Sequence, residues 1–438
     1  MLREELGSSD LQQLANDNNR ILNLAREYMR LGIYAKALDV LSRSYPEPVP
    51  DQSEPATPAV AHDPMIAYYR AYCREKLGQS AASERRWAAH LSTVYVFPSS
   101  AEDLTVLRAA TEKDPDDANA HYLLGTLYFS KAFTDRALAE WNRAKQLNPK
   151  IPGVDAGLGV ALLHAKGDPA SALLAFTDGI RSDAKNEMVY VGADQALSML
   201  GKPSAERVLA LTAYPDKANM PSDLVFELAL NFAEDGKFDD ATSLFSHRYF
   251  PRQEGGTNVR QVWIEAQLQH GLALAARGRC DDALTIAKKL AAPVPDLAFT
   301  KDGMQVFLDA SRMHYFLGEI HAECGHAEEA AQYFQSAAGK TGAGDMFWAW
   351  KAAKGLPGFD QSQWTNRLTS AEQQAGDMIE ASSFSGWWLY NRAMIRRALG
   401  HQQGAAQDLQ SVFLLPDRLL SYHLAREAMT TKETSATK

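Results

Sequence analysis

The sequence predicts an all-α protein: an α-solenoid in which antiparallel helix pairs stack into a right-handed superhelix that ends in a capping helix. The main observation is a pattern of small and aromatic residues at fixed offsets, which recurs along most of the 438 residues. A second observation is that no segment rich in strand-forming residues is longer than VYVF (94–97). We therefore expect each regular element to be a helix that pairs with the next one.

Composition and charge restrict the class of protein. Hydrophobic residues make up 46% and charged residues 23%, which excludes disordered and collagen-like chains. The 54 acidic side chains outnumber the 45 basic ones, and a net charge of −9 argues against nucleic acid and anionic membranes as partners. The start, MLREELGSSDLQQL, lacks the apolar segment of a secretion signal, and no long apolar run follows. We expect a cytoplasmic protein without membrane insertion.

The clearest repeat is the one that contains Gly125. Tyr128, Ala137 and Trp141 follow it at the offsets small–x2–aromatic and Ala–x3–aromatic, and Pro149 comes after them. Small residues at a helix crossing let two backbones approach closely, aromatic residues fill the space beside the crossing, and proline stops the second helix. This spacing is that of a tetratricopeptide repeat.

The same spacing recurs on both sides of this repeat. Gly159 follows Gly125 by 34 residues, one full period, with one extra residue in the turn before Ala172. Other copies show the same small and aromatic positions or, more weakly, the same helical periodicity. The further predicted pairs lie near Ala25, at 65–91, at 188–211, from Ala229, from Gly271, from Gly318 and at 387–410.

No domain boundary is expected inside the array, because each pair must bury its apolar face against the next. We predict a first helical repeat (1–45), a proline-rich loop (46–64), a continuous superhelix (65–429) and a disordered tail (430–438). The proline-rich loop is the strongest candidate for a hinge, since it carries six prolines.

Within the superhelix, insertions are expected where the repeat spacing is interrupted. They lie near 248–262, where Gly255 and Gly256 form a turn, and at 292–303. The segment 356–362 turns between two atypical helices, and 417–429 is the amphipathic capping helix that covers the last apolar face.

Beyond the repeat itself, the chain resembles the helical tail of a family of large bacterial proteins. The resemblance is carried by YVFPSSAEDLTVLRAATEKDPDDANAHYLLGTLYFSKAFTDRALAEW (95–141) and by HRYFPRQEGG (247–256). In that family a β-rich domain of unknown function precedes the tail. The resemblance implies that this chain is the tail alone, and that the chemistry of the absent domain does not transfer to it.

Two short motifs suggest chemistry that the repeat register disfavours. SAAGKTG (336–342) contains the Gly-Lys-Thr of a phosphate-binding loop, but Phe334 stands where the motif needs glycine, so a helix cap is favoured. HAECGH (321–326) offers zinc ligands, yet His321 should face a neighbouring helix and His326 should begin the next one. Because we expect these two side chains to diverge, we predict no metal and no cofactor.

The cysteines give no sign of a disulfide framework. Cys73, Cys280 and Cys324 are sparse and odd in number, which suits a reducing compartment. We expect Cys324 to be a structural cysteine.

Two regions are candidates for ligand binding outside the groove. Five of the eight tryptophans fall between 348 and 388, and Trp348 and Trp350 should point to different faces of one helix, so one of them is available to a ligand. The loop that carries Arg248, Tyr249, Phe250, Arg252, Glu254 and Arg260 combines aromatic and charged residues on a rigid scaffold. Both regions have a structural alternative, namely packing of atypical repeats and sealing of a break in the stack.

The first helices of a superhelix line a concave groove suited to a peptide. On the repeat register, Asn119, Tyr122 and Thr126 face this groove in one pair, and Arg312, Tyr315 and Glu319 face it in another. Our main hypothesis is a non-catalytic scaffold that binds a protein or peptide segment, including an associated β-rich domain. The alternative is a carbohydrate-linked accessory or enzyme module that uses the tryptophan cluster and the Glu-Gly-Gly loop.

Overall fold

In the computed structural model, every regular element is helical, and no strand occurs in the part of the chain that it describes. That part comprises residues 8–49, 58–246, 248, 250, 259–291, 304–382, 385–415 and 420–430. In chain order, the first α-helices are α1 (Ser8–Ala15), α2 (Asn18–Arg30), α3 (Tyr34–Leu41), α4 (Pro64–Lys76), α5 (Ala82–Ala88), α6 (Ala101–Lys113), α7 (Ala118–Ser130), α8 (Thr134–Leu147), α9 (Val154–Val160) and α10 (Pro169–Ser182). They are followed by α11 (Glu187–Met199), α12 (Ser204–Thr212), α13 (Ser222–Glu234), α14 (Phe238–Ser243), α15 (Val259–Ala276), α16 (Cys280–Ala291), α17 (Met304–Leu308), α18 (Ser311–Glu323), α19 (Ala327–Ala338), α20 (Met346–Ala353), α21 (Gln361–Ala381), α22 (Gly386–Leu399), α23 (Gln402–Leu414) and α24 (Leu420–Thr430).

The chain divides into two compact units. Unit 1 comprises Met1–Lys166 and Ser171–Val189, and unit 2 comprises Gly167–Ala170 and Tyr190–Lys438. The proline-rich loop therefore lies inside unit 1, where the described residues Val60–His62 form a short 3-10 helix. The division falls further along the array than the predicted hinge.

The predicted helix pairs are confirmed. In the described part of the chain, seven pairs form at the predicted positions: α2/α3, α4/α5, α7/α8, α13/α14, α15/α16, α18/α19 and α22/α23. Helix α9 meets α10 where Gly159 lies against the Phe176 ring, and α11 meets α12 through the ion pair of Asp194 and Arg207. In each pair, the side chains that lie between the two helices are buried, as in the packing of a tetratricopeptide repeat. Helix α6 is an additional helix that packs between α4 and α7.

The repeat positions require glycine for a different reason from the one expected. A β-carbon at Gly125 would lie 2.6 Å from Cδ1 of Trp141, and one at Gly318 would lie 2.7 Å from Cε1 of Phe334. The group that needs the space is therefore an aromatic ring of the second helix, not a facing backbone. The ring fills the position where a larger residue on the first helix would stand.

The extra residue of the pair led by Gly159 is also placed differently. It was expected in the turn before Ala172, but the helix continues from Val160 into a π-helical segment, Ala161–Ala165. A π-helical turn accommodates one additional residue inside a helix. The turn that follows therefore keeps its usual closure, with Gly167 at φ +63°.

The predicted connections are only partly described. Residues 354–360 connect α20 and α21, as predicted for the turn at 356–362. The insertion at 292–303, most of the insertion at 248–262 and the tail from 431 onward lie outside the described residues. None of the helices described is both long and apolar enough to cross a membrane.

Candidate functional site

The groove residues predicted in unit 1 are mostly engaged in packing. Asn119 is buried, and its amide donates hydrogen bonds to the carbonyls of Ala88 (3.0 Å) and Leu91 (2.7 Å). Thr126 Oγ1 donates to the carbonyl of Tyr122 (3.0 Å), and burial raises the pKa of the Tyr122 hydroxyl. The expectation that Asn119 faces an open groove is wrong, because its amide donates to backbone carbonyls at and just beyond the end of α5.

The groove residues predicted in unit 2 are also packed, with one exception. Arg312 donates to both carboxylate oxygens of Glu265 (2.5 and 2.8 Å), and its guanidinium lies 5.7 Å from the ring centroid of Trp348. Tyr315 is only 7% exposed and also contacts Trp348, with ring centroids 5.3 Å apart. Glu319 is exposed. Arg312 and Tyr315 therefore do not form an open binding surface.

Some of the candidate residues in the tryptophan cluster and in the loop near 248–262 can be placed in the structure. Trp348 is buried, whereas Trp350 is half-buried, as expected for two residues that point to different faces. Phe250 is buried against Phe226, with stacked rings 5.5 Å apart, and Arg248 lies over the Phe250 ring. This part of the loop fills space in unit 2. Tyr249, Arg252 and Glu254 lie outside the described residues.

Helix α24 occupies the first-helix side of unit 2. The hydroxyl of Tyr422 donates to the carbonyl of Gln195 on α11 (3.4 Å), Arg426 pairs with Glu234 on α13, and Gln269 on α15 donates to Glu427 (3.4 Å). Seven of the eleven residues of α24 are buried, so it is inserted rather than laid on by one face. Helix α24 packs on the last pair, α22/α23, as predicted for a capping helix, and it also reaches the first helices of three earlier pairs.

A charged cluster holds α24 in this position. His423 is buried, with its Nε2 3.3 Å from Glu427 Oε1 and its Nδ1 3.3 Å from Arg426 Nη2. Burial alone would lower the pKa of His423, but the charges of Glu427, Glu265 and Glu234 outweigh it and raise the pKa above its ordinary value. The imidazolium form is therefore favoured when α24 is docked.

Unit 1 carries a pocket of about 250 Å³ beside the start of α2. It is lined by residues of α2 and its N-cap, by residues of the segment that leads into α4, and by residues of the segment that leads into α6: Asp17, Asn18, Asn19, Leu22, Arg26, Pro58, Asp63, Met65, Tyr95, Val96, Phe97, Pro98 and Asp103. Three of these residues are carboxylates and one is a guanidinium. The lining is therefore acidic as well as partly apolar.

The polar floor of the pocket is tightly bonded except at one atom. Asn18 Nδ2 donates to Asp63 Oδ2 (2.8 Å) and to the Pro58 carbonyl (2.9 Å), while Asn18 Oδ1 is buried and receives no hydrogen bond from any described residue. Burial raises the pKa of Asp63. Arg26 Nη2 donates to Asp103 Oδ1 (2.7 Å), which partly neutralises both groups. A buried acceptor of this kind is satisfied by an ordered water or by a donor group of a ligand.

Two exposed aromatic residues flank this pocket. Tyr95 is 59% exposed and Phe97 is 71% exposed, whereas Val96 between them is buried. Tyr95 has φ +60°, a backbone conformation that is rare outside glycine and often marks a functional site. The sequence signal for these residues is VYVF (94–97), a run of strand-forming residues that belongs to no helix.

The histidines of HAECGH do not diverge. The ring centroids of His321 and His326 lie 5.8 Å apart, and both rings approach the carboxylate of Glu329. The expectation that the repeat register separates them is therefore wrong. In contrast, Gly339 and Lys340 directly follow α19, as expected for a helix end.

Cys280 and Cys324 form a disulfide, with their α-carbons 5.3 Å apart. The bond joins the start of α16 to the end of α18. The sparse, odd cysteine count does not predict this bond, because the fold brings together two residues that are 44 positions apart. Cys73 is buried and unpaired. The cytoplasmic location stays a prediction.

Comparison with known proteins agrees with the repeat assignment. The tetratricopeptide repeat family model matches residues 104–150 and 268–345, which lie in unit 1 and unit 2 respectively. No curated protein matches the chain at the significance required.

Several solved structures are similar in part. YrrB, described as a tetratricopeptide repeat protein with an unusual peptide-binding site, is 19% identical over 53% of this chain and 90% of its own, with a TM-score of 0.28. A tetratricopeptide repeat protein from Parabacteroides merdae ATCC 43184 is 13% identical over 81% of this chain and 98% of its own, with a TM-score of 0.30. These scores are low, so the assignment rests on the helix pairs and the family model. The family model therefore identifies tetratricopeptide repeats at 104–150 in unit 1 and at 268–345 in unit 2.

Proposed function

We propose that the chain is a non-catalytic scaffold whose unit 1 binds a peptide segment of a partner protein in the pocket beside α2. Scaffolds of this repeat family typically bind proteins or peptides on the side formed by their first helices. The observation that carries the proposal is the pair of exposed aromatic residues, Tyr95 and Phe97, beside a pocket whose floor holds an uncompensated acceptor, Asn18 Oδ1.

The chemistry of the lining defines the partner. Leu22, Met65 and the two aromatic rings favour an apolar or aromatic anchor, since burial of such side chains dominates the energy of peptide recognition. The acceptor on Asn18 and the excess of carboxylates favour N–H donors and positive charge. The partner segment therefore carries an apolar or aromatic residue next to a lysine or arginine.

The structure of unit 2 favours unit 1 as the place where a peptide would bind. Its first-helix side is covered by α24, whereas the described part of unit 1 leaves its pocket accessible. The other predicted contacts, among them Tyr122, Thr126, Glu319 and Trp350, stay predictions. The alternative of a carbohydrate module loses one support, since Trp348 is buried, and its other element, Glu254, lies outside the described residues.

The experiment selects partner sequences directly. A library of random peptides displayed on phage is selected against the full chain, and an enriched peptide is titrated by isothermal calorimetry. We expect a consensus with an aromatic or aliphatic residue beside a basic one. Phe97→Ala and Tyr95→Ala should each weaken binding by about tenfold or more.

Phe133→Ala is the matched control, because Phe133 is an exposed aromatic residue of unit 1 (54%) that does not line the pocket. It should leave the affinity unchanged. The proposal fails if no sequence is enriched, or if the enriched peptides bind Phe97→Ala and Tyr95→Ala as tightly as they bind the wild type. An acidic consensus would contradict the predicted charge of the partner.

A further inference from the structure

The turn between α18 and α19 has a backbone geometry that brings two particular side chains together. His326 N donates to the carbonyl of His321 (2.9 Å), Gly325 N donates to the carbonyl of Ala322 (3.0 Å), and Gly325 has φ +79°. This pair of bonds around a left-handed glycine is the Schellman motif. In that motif the side chains of the two residues joined by the outer bond lie against each other, and here they are both imidazoles.

Equivalent turns elsewhere in the chain do not require histidine. The same outer bond joins Ile33 to Tyr28 (2.9 Å) and Phe133 to Tyr128 (2.9 Å). The rings of Phe133 and Tyr128 make the apolar contact usual for the motif, with centroids 6.3 Å apart. The motif therefore forms without an imidazole at either position. Packing alone does not explain why two metal-ligating side chains stand together at residues 321 and 326.

A carboxylate completes the group. Glu329, in the first turn of α19, has its Oε1 3.6 Å from His326 Nδ1. One ligand atom from each of His321, His326 and Glu329 lies within 4.8 Å of the others. His321 Nδ1 is buried and has no hydrogen-bond partner among the described residues, and the ring of Tyr333 packs 5.2 Å from the His321 ring. The least exposed ligand is thus fixed by packing, with a nitrogen that lacks a partner.

We propose that His321, His326 and Glu329 bind one zinc ion on the surface of unit 2. Two imidazole nitrogens and one carboxylate oxygen form a ligand set that zinc uses, and three protein ligands leave a coordination position for water or for a group from a partner. Tetrahedral zinc holds ligands at about 2.0–2.2 Å, so the ligand atoms must approach to about 3.4 Å from one another. His326 and Glu329, whose side chains are 46% and 49% exposed, have room for the necessary change of rotamer.

The surrounding structure restrains the turn that carries the ligands. Cys324, between His321 and His326, is bonded to Cys280 at the start of α16. The turn is therefore tied both to its own pair and to the preceding one, which reduces the ordering needed when an ion binds.

A second group of possible ligands in unit 2 has the wrong charge environment. Glu265, His423 and Glu427 also bring one ligand atom each to within 4.8 Å of the others. However, Arg312 donates to both oxygens of Glu265, and Arg426 lies 3.3 Å from the His423 ring. Two guanidinium groups already supply the positive charge that a cation would bring, so we assign no ion to this group.

The test is a calorimetric titration of zinc chloride into the full chain. The protein carries no histidine tag and is kept oxidised, so that Cys280 and Cys324 offer no thiolates. We expect one zinc ion per chain and a rise in melting temperature on its addition. His326→Ala should weaken binding by at least about tenfold and abolish the rise in melting temperature, and Glu329→Gln should weaken binding to a smaller extent.

His401→Ala is the matched control. His401 follows Gly400 at the same position of the turn between α22 and α23, with its N bonded to the carbonyl of Arg396 (2.8 Å) and its Nδ1 3.3 Å from Glu372 Oε2, but there is no second imidazole in that turn. This variant should bind zinc like the wild type. Melting of the zinc-free variants shows whether each one is folded. The proposal is overturned if the wild type shows no saturable zinc binding, or if folded His326→Ala binds zinc as tightly as the wild type.

Discussion

Gly125 on α7 and Trp141 on α8 share one space: a β-carbon at residue 125 would lie 2.6 Å from Cδ1 of the indole. The indole Nε1 also donates to the carbonyl of Tyr122, one turn earlier on α7 (3.2 Å). The ring is thus held by a hydrogen bond at one edge and can give way little to a larger residue at position 125. Equivalent contacts join Gly318 to Phe334 and Gly159 to Phe176.

This contact predicts the effect of a single methyl group. We expect Gly125→Ala to destabilise unit 1 by about 1–3 kcal/mol, because the added carbon overlaps the Trp141 ring in a well-packed core. The free energy of unfolding in urea measures the change. Gly376→Ala, inside α21, is the control: its nearest neighbour would be Arg392 Nη1 at 3.6 Å, and alanine favours helix over glycine, so stability should rise by about 0.5–1 kcal/mol. A neutral Gly125→Ala would contradict the packing argument.

Removing one partner of a buried ion pair should lower the free energy of unfolding more than Gly125→Ala does. Arg207 Nε and Nη2 donate to the two oxygens of Asp194 at 3.0 and 2.8 Å, and the two side chains are only 2% and 0% exposed. Asp194→Ala leaves the guanidinium buried, with Glu234 3.6 Å away as its remaining partner. We expect a loss of about 3–5 kcal/mol in the free energy of unfolding.

The exposed pair of Arg279 and Asp282 provides the comparison, with side chains 63% and 54% exposed. Asp282→Ala should change the free energy of unfolding by less than about 1 kcal/mol. If the two variants proved equally stable, burial would not decide the strength of these pairs.

The docking of α24 should depend on pH through His423. Glu427 on α24, Glu265 on α15 and Glu234 on α13 face its ring and raise its pKa against the effect of burial, while Arg426 and Arg312 oppose them. A raised pKa means that protonation stabilises the folded state. This contribution is fully present below the ordinary imidazole pKa of about 6.5 and is lost as pH rises through the higher pKa of the folded state.

The free energy of unfolding, measured from about pH 6 to pH 9, tests this expectation. The wild type should lose stability across this range relative to His423→Gln, which has no titrating group at that position. Hydrogen exchange of the α24 amides, corrected for the intrinsic dependence of exchange on pH, should show the same trend. Parallel curves for the two proteins would mean that His423 does not titrate in this range.

The disulfide determines how many cysteines an alkylating reagent can modify in each state of the chain. Burial raises the pKa of Cys73 to about 12, so its thiol should not react in the folded protein. An alkylating reagent should therefore modify no cysteine in the folded, oxidised chain, one after denaturation without reductant, and three after denaturation with reductant. Mass spectrometry reads the three states. Three modified cysteines without reductant would show that Cys280 and Cys324 are not bonded. Reduction should lower the free energy of unfolding by roughly 2–4 kcal/mol.

Much of the fold was predictable because the repeat is a local pattern. The offsets between Gly125, Tyr128, Ala137 and Trp141 fix the two faces of one helix pair, and these offsets are read from consecutive residues. The candidate site was much less predictable. Asn119 occupies a first helix as expected, but its amide is used by the backbone of residues 88 and 91, which no repeat register reveals.

The histidines illustrate the same limit. Helical periodicity assigned His321 and His326 to different helices, which is correct, and from this their separation was inferred. The two rings nevertheless meet, because the turn closes by a bond from His326 N to the His321 carbonyl. The sequence identifies Gly325 as the turn residue. A Schellman motif around this glycine would have predicted the contact, because the motif brings the side chains of residues 321 and 326 together.

The sequence by itself determined the helix pairs, their order and the small residues on which their packing depends, since these follow from periodicities within some 34 residues. Only the tertiary structure decided which residues meet across space. It shows that α24 covers first helices of unit 2, that Cys280 is bonded to Cys324, and that Tyr95 and Phe97 flank a pocket. The physical reason is that burial depends on what lies across space. A residue's register states which way it points along its own helix, but not whether another segment of the chain already fills the space in front of it.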